Sequence, residues 1–416
     1  MSPDYEFSKL LKIKPYALCS MPLAGQIMKN SILFLTNAYP DFDSSYRGHF
    51  IKKMAILLQK DGYQISVVTP KIYRGSPYFE EQRDIKVYRF PFCAGNKLLI
   101  EYDKIPYLKM VLYYLTGVAL TGYVLLKNRC SLIHAHWAIP TGLIGALVGM
   151  ALKKPLIVTI HGSDLRMALE RPGLLKRLFI SVCKNATYLN CVSEVQKREL
   201  ERMGIPNEKI STIPMGIDEA FLETGKNRGS EFKKGHITIL SNRNLLPMYN
   251  VSLLIRAIPI VLKEEPETKF LIAGDGTEKE NLEREVKSLN INSSVKFLGR
   301  VPHEEMPNLL SQADIYVSTS LYDGTSVSLL EAMVAGAFPV VADIPSNREW
   351  IRDVENGFLF PAGEEGTLAR RIVDAIQKKT LREKGRQENI QFIERTGLWQ
   401  ISIQKVREIY TNVMRE

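Results

Sequence analysis

Residues 314–343, DIYVSTSLYDGTSVSLLEAMVAGAFPVVAD, decide the fold. An apolar, β-branched run (DIYVSTS) meets a small-residue turn, then a helix-period stretch (SVSLLEAMVAG), then a second apolar run (FPVVAD). Strands that read apolar on both faces and are joined by a helix form a parallel βαβ unit. The same stretch holds an anomaly. Asp323 opens the turn, and Glu331 stands between Leu329-Leu330 and Ala332-Met333. A carboxylate is costly to bury there unless hydrogen-bond donors come to meet it.

The alternation continues outward in both directions. Upstream lie ITILSN (237–242), KFLIAGDG (269–276) and VKFLGRV (295–301), each followed by a helical stretch. Earlier still come ILFLTNAYP (32–40), QISVVTP (64–70), LIHAHW (132–137), PLIVTIHG (155–162) and YLNCVSE (188–194), again with helices between. The fold class is therefore α/β, with two Rossmann-like parallel domains. At 416 residues the chain is too long for one core and suits two domains of roughly 200 residues each. The expected division is a leader at 1–28, a first domain at 29–217, and a polar linker at 218–236 (DEAFLETGKNRGSEFKKGH). A second domain at 237–395 and a closing helix at 396–416, crossing back to the first, complete it. Two such domains face each other across a deep cleft at the carboxyl ends of their strands, where open α/β sheets bind ligands.

Composition is that of an ordinary globular protein, with 45% hydrophobic and 24% charged residues. The five cysteines (19, 93, 130, 183 and 191) are scattered and form no CxxC pair, which points to reduced thiols in the cytoplasm. The leader has no long apolar core of the kind a signal peptide carries. The net charge of +10 is lopsided: residues 29–220 hold 26 basic and 16 acidic side chains, residues 221–416 hold 26 and 27. A basic first half suits an anionic partner surface. No nucleic-acid motif accompanies it, so nucleic acid is not the expected partner. Residues 110–126, MVLYYLTGVALTGYVLL, lie uncharged between Lys109 and Lys127. Seventeen residues sit at the short edge of a membrane span, and a buried helix covering a sheet is the expectation.

Neither GxGxxG nor GxxxxGK[ST] occurs, which disfavours dinucleotide oxidoreductases and P-loop enzymes. The YDGTSVS turn instead feeds a helix N-terminus, whose free amides and dipole suit a phosphate, while Ser326 and Ser328 can cap the helix or donate. His134 and His136 read as structural, and nothing near them completes a metal site.

Taken in order, YRGHF, IHAHWAIPTG, VTIHGSD, CVSE and IPMGID in the first half, with LSNRN, LIAGDG, VKFLGRV, DGTSVSLLEAMVAGAFPVVADI and ENGFLFPAG in the second, resemble glycosyltransferase family 4. Those are retaining nucleotide-sugar enzymes of GT-B fold. The resemblance implies that Glu331 holds the ribose hydroxyls and Asp323 the transferred sugar, with the backbone of Ser326, Val327 and Ser328 meeting the diphosphate. It implies that Arg243 neutralises that diphosphate, that Arg300 and Val301 receive the base, and that Gly48 and Gly274 lie in the loops around the donor. His161, with Asp164 nearby, would reach the reacting sugar. Two departures stand out. The family's first acidic residue is usually Glu, not Asp323, and Tyr249-Asn250 stand where a second diphosphate cation, a lysine, is usual. A branch of the family shares this pattern.

The implied activity is transfer of a hexose, without metal or other cofactor and with retention, from a nucleoside-diphosphate sugar to a saccharide or lipid-linked acceptor. The implied setting is cell-surface polysaccharide or glycolipid synthesis, in the cytoplasm or at the cytoplasmic face of the membrane. The basic first domain would then make peripheral contact with anionic lipid, with RPGLLKRLFISVCK (171–184) as the candidate segment. A nucleotide-sugar epimerase of the same fold and a non-catalytic donor-binding subunit are the competing readings.

Overall fold

The computed structural model describes residues 31–415 except 43, 44, 46, 93, 97–105, 172 and 229–235. The leader, Cys19 and Cys93 lie outside the described residues. Apolar β-branched runs become two sheets. The first, in the order β3-β4-β2-β1-β5-β6-β7-β8, comprises β1 (Ser31–Thr36), β2 (Gln64–Lys71), β3 (Phe79–Gln82), β4 (Ile85–Pro91), β5 (Leu132–His136), β6 (Leu156–Ile160), β7 (Tyr188–Cys191) and β8 (Ile210–Thr212). The second, in the order β11-β10-β9-β12-β13-β14, comprises β9 (Thr238–Ser241), β10 (Lys269–Ala273), β11 (Val295–Gly299), β12 (Ile315–Ser318), β13 (Phe338–Ala342) and β14 (Phe358–Phe360). Every pairing in the second sheet is parallel; in the first, only β3 runs antiparallel, to β4.

Strand order reverses between β1 and β5 in the first sheet and between β9 and β12 in the second. At such a point the following loops diverge to opposite faces and leave a crevice. Arg243 follows β9 and Asp323 follows β12, so the second sheet's crevice lies between them. The first sheet's crevice lies beyond Thr36 and His136.

The chain crosses between the sheets twice, side by side. Ile217 N donates to Gly397 O at 2.8 Å, and Trp399 N donates to Ile217 O at 3.2 Å. The helix Trp399–Val413 then packs Trp399, Ile403, Val406 and Tyr410 into the same cluster as Ile32 and Phe34 of β1. Tyr410 OH and His134 Nδ1 lie 2.6 Å apart, and His134 Nε2 lies 2.7 Å from Thr159 Oγ1. His134 is thus a buried, satisfied core residue.

Three stretches differ from expectation. The polar segment at 218–236 is not simply a linker, because Glu219–Asn227 forms a helix that buries Phe221, Leu222 and Gly225. Its apolar residues are few but share one face. The β3–β4 hairpin has no counterpart in the sequence reading; β3 is short, charged and at the edge, and Arg83 and Asp84 turn with φ of 51° and 63°. The uncharged segment becomes the helix Tyr107–Lys127, long and apolar enough to cross a membrane, with only one face buried on the first sheet. The described cysteines Cys130, Cys183 and Cys191 are buried and unpaired.

The Glu219–Asn227 helix can seat against the helix Val327–Val334 only because residue 225 is glycine: a Cβ there would lie 1.9 Å from Val334 O. Gly225→Ala is expected to cost about 1–3 kcal/mol through overpacking. Thermal denaturation should show a clear drop for Gly225→Ala and none for the exposed neighbour Glu223→Ala. Equal melting temperatures would mean that this seam bears no load.

Candidate active site

Arg243 is 7% exposed and its water is replaced by four groups. Nη2 donates to Asp323 Oδ2 at 2.5 Å, Nη1 donates to Ser326 Oγ at 2.9 Å, and the guanidinium carbon stands 4.4 Å from the centre of the Tyr249 ring. Burial alone would lower the guanidinium, but Asp323, Tyr316 and Tyr249 hold it raised above the ordinary value. Tyr316, on β12, is itself fully buried and pushed up to about 12 by that burial.

Backbone geometry delivers these groups. Gly274 has φ of 146°, and a Cβ there would lie 2.2 Å from Arg243 O, so glycine lets the β10 loop slide beneath the arginine. Ser326 caps the helix Val327–Val334, its Oγ accepting from Leu329 N at 3.4 Å as well as from Arg243. The cap leaves the half-buried Val327 and Ser328 as the first turn of that helix, where backbone amides have no intrahelical carbonyl to bind.

Glu331 lies one turn further on, 7% exposed. Among the described residues its side chain accepts no hydrogen bond. The nearest cation is His303, whose Nδ1 is 3.9 Å from Glu331 Oε1. Burial pushes the carboxyl up to about 7, against the pull of His303 and Arg243. His303 in turn hydrogen-bonds Asp218 at 3.3 Å, and that contact raises it. Asp218 also pairs with Lys53 Nζ at 2.5 Å, and with His303 this lowers it despite burial.

From the first sheet comes a stack of imidazoles. His134 and His136 lie with ring centres 4.5 Å apart, and His136 Nδ1 is 3.1 Å from His161 Nε2. Phe50 and Trp137 flank His161 at 5.1 and 4.5 Å. Burial pushes His161 down to about 3, so it is a neutral imidazole at physiological pH. Asp164 accepts from Ala138 N at 2.7 Å and from Gly162 N at 3.1 Å, and burial lifts it to about 6.

The two halves touch at this level. Tyr322 OH donates to Gly162 O at 3.0 Å, and Thr325 Oγ1 donates to Val192 O at 2.5 Å. A Cβ on Gly324 would lie 2.7 Å from His161 O, so the glycine of YDGTS admits the other half of the molecule. Val327 packs against both cores. On the far side, Glu349 accepts from Val195 N at 2.7 Å and Glu194 N at 3.1 Å, capping the helix Glu194–Arg202 from across the interface.

The structure therefore brings together Arg243, Asp323, Ser326, Val327, Ser328, Glu331 and, through Gly324, His161. Asp323 is spent on Arg243. Arg300 and Val301 follow β11 beside Gly274, whose N donates to Gly299 O at 2.7 Å; Arg300 is exposed and Val301 half-buried. Gly48 has a reason of its own: φ is 66° and the Cβ position is taken by Ala38 O at 2.1 Å, so the turn into the helix His49–Lys60 requires it. Sequence reading missed His303, Tyr316 and the Lys53–Asp218 pair, whose partners are distant in the chain. Tyr249, which stands where the family usually has a lysine, is found as a π face on Arg243.

The model of "Glycosyl transferases group 1" matches residues 224–392, and that of "Glycosyltransferase Family 4" matches residues 48–221. Alpha-monoglucosyldiacylglycerol synthase of Streptococcus pneumoniae is 24% identical over 342 residues, covering 78% of this chain and 74% of its own. Among solved structures, sucrose-phosphate synthase from Thermosynechococcus elongatus superposes with a TM-score of 0.76 at 16% identity, over 93% of this chain and 100% of the other. HepE from Anabaena, in complex with UDP-glucose, superposes at 0.71 and 18%, over 92% and 100%. The shared fold is GT-B.

A carboxyl raised from 4.5 to about 7 makes stability depend on pH. Below about 4.5 both folded and unfolded chains carry the proton and Glu331 costs nothing. Between there and about 7 the folded chain keeps a proton that the unfolded chain has lost, so stability falls as pH rises. Above that the full cost applies, on the order of 3 kcal/mol. Glu331→Gln is expected to raise the melting temperature by several degrees at pH 8 and to leave it unchanged at pH 4.5. A shift equal at both pH values would contradict the burial argument.

Proposed function

The chain belongs to the family 4 glycosyltransferases, and on that premise we propose that it transfers a hexose from a nucleoside-diphosphate sugar to a saccharide or lipid-linked acceptor, with retention. The observation that carries this reading is the unmatched carboxylate of Glu331 beside the Arg243–Ser326 cluster, at the second sheet's switch point. A buried carboxylate lacking donors suits a pair of vicinal hydroxyls, as on a ribose. A guanidinium and a capped helix N-terminus suit the diphosphate attached to it.

The donor thus lies along the C-terminal ends of β9 and β12. Its base points toward Arg300-Val301, its ribose reaches Glu331, and its diphosphate rests on Arg243 and the Val327-Ser328 amides. As the glycosidic bond lengthens, negative charge grows on the leaving phosphate oxygen. Arg243 and the helix amides are already oriented to receive it. They supply the positive charge from the chain itself, so the reading is metal-independent. Asp323 competes with the diphosphate for Arg243; once the donor binds, its carboxylate is released toward the sugar hydroxyls. Neutral His161 faces the same crevice from the other half and can accept a hydrogen bond from the sugar. The contacts of Tyr322 with Gly162 and of Thr325 with Val192 keep the halves closed, which excludes water and favours transfer over hydrolysis.

Tyr249 orients Arg243 without adding charge, so one cation holds a subsite that usually has two. The glycolipid named for the pneumococcal relative, and the UDP-glucose bound in HepE, favour a uridine-type donor and a membrane acceptor. Such an acceptor sets the reaction at the cytoplasmic face of a bilayer, with the basic first domain toward the lipid.

Incubation with a panel of labelled nucleotide sugars and a membrane lipid extract tests this. One donor should give a lipid-extractable product, with slow hydrolysis when acceptor is left out, and the product linkage should keep the donor's anomeric configuration by NMR. Arg243→Ala should lower kcat about 10²–10³-fold, and Glu331→Ala should abolish saturable donor binding. Acceptor-free isomerisation of the sugar, or full donor affinity in Glu331→Ala, would overturn the reading.

A further inference from the structure

The helix Tyr107–Lys127 has two apolar faces, and the first sheet covers only one. Tyr113, Gly117, Thr121, Val124 and Leu125 are buried. On the opposite side Leu108, Val111, Leu115, Tyr123 and Leu126 follow one another at helical spacing, each between 53% and 88% exposed. The helix Leu143–Leu152 packs alongside, close because a Cβ at Gly117 would lie 2.6 Å from Ile144 Cδ1, and adds exposed Leu147 and Met150. Together they make an apolar platform along about 30 Å of helix, and exposed apolar patches of this kind mark interaction sites.

Charge within the two helices and the segments that join and follow them has one sign. From residue 106 to residue 163 the sequence carries Lys109, Lys127, Arg129, Lys153 and Lys154 and no Asp or Glu. Lys127, Arg129, Lys153 and Lys154 gather at the C-terminal ends of the two helices. Lys127 Nζ stands 5.2 Å over the Tyr123 ring, its stem along the apolar face and its ammonium at the rim.

We propose that this two-helix platform docks on an anionic phospholipid bilayer. The helices lie in the plane of the interface, the Leu, Val and Tyr side chains enter the acyl boundary, and the lysines and Arg129 meet lipid phosphates. The helix does not cross the bilayer, because spanning would strip Tyr113, Val124 and Leu125 from the sheet. A second copy is a poor occupant, since a two-fold contact would bring like charges together with no carboxylate from this segment to pair with them. The segment 171–184, expected from sequence to face the lipid, fits less well: Phe179, Val182 and Cys183 are buried on the sheet and leave little more than Leu174 outward. In supplying a reason for the docking, this inference rests on the acceptor reading above; the surface itself does not.

Sedimentation of the full chain with vesicles tests it, using phosphatidylcholine alone against an equimolar mixture with phosphatidylglycerol. Binding to the mixed vesicles, at least tenfold weaker on the neutral ones and weakened by salt, is expected. Leu115→Ser with Leu126→Ser should lose that binding at least tenfold while keeping the parent melting temperature and the parent rate of donor hydrolysis. Undiminished vesicle binding by the double variant would overturn the proposal, as would equal binding to neutral vesicles. So would light scattering that shows a dimer in the parent and a monomer in the variant. Vesicle binding without turnover of any nucleotide sugar would leave the platform standing and sink the transferase reading alone.

Discussion

Arg243 gives up most of its water between β9 and β12, and the second half of the molecule is arranged around what replaces it. Asp323 supplies the countercharge, Ser326 a hydroxyl, Tyr249 a π face, and Tyr316 a buried phenol beside them. A buried guanidinium with only part of this set would be expensive. The requirement fixes the loop after β9 against the turn after β12, and with it the start of the helix that carries Glu331. Gly274 beneath Arg243 and Gly225 against Val334 are consequences of the same close packing. The carboxylate at the far end of the helix turn is then held where, among the described residues, it accepts no hydrogen bond and has only His303 near it, at 3.9 Å.

The first half meets this assembly through small residues. Gly162 and Gly324 pass each other closely enough that a Cβ on Gly162 would lie 3.1 Å from Gly324 Cα. Hydrogen bonds from Tyr322 and Thr325, and the Glu349 cap, close the rest of the seam. These contacts are partly polar, as interfaces between domains of one chain generally are. The imidazole stack gives the first half its own rigidity. His161 is held by His136, which stacks on His134, which is anchored by Thr159 and by Tyr410 on the returning helix.

Much of this was legible in the residues, for identifiable reasons. Strands of the parallel sheets are buried on both faces, so β1, β2, β5, β6, β9, β10, β12 and β13 read as unbroken apolar runs. Arg243, Asp323 and Ser326 stand in the loops that follow such runs, where open α/β sheets bind ligands; the individual roles of these residues and of Glu331 rest on the resemblance to family 4. Short elements stabilised by distant packing escaped: β3 is a charged edge, and Glu219–Asn227 has only three buried residues. Composition marked 110–126 as apolar but could not tell its covered face from its bare one. Tyr249 read as a lost lysine because sequence shows the missing charge and not the ring over Arg243. Gly48 read as part of a loop around the donor, and sequence could not show that Ala38 O stands where its Cβ would be. His303 carried no signal, since its relation to Glu331 and Asp218 exists only in three dimensions.

The central claim is that Glu331 waits half-protonated for a donor's hydroxyls. Two such donors favour the ionised form, so a nucleotide sugar binding near pH 7 must expel a proton. Calorimetric titration of the donor in buffers of different ionisation enthalpy measures that release. The account predicts about half a proton released per donor bound at pH 7, falling toward zero at pH 8.5 and absent in Glu331→Gln. Donor binding whose enthalpy is the same in every buffer would contradict it.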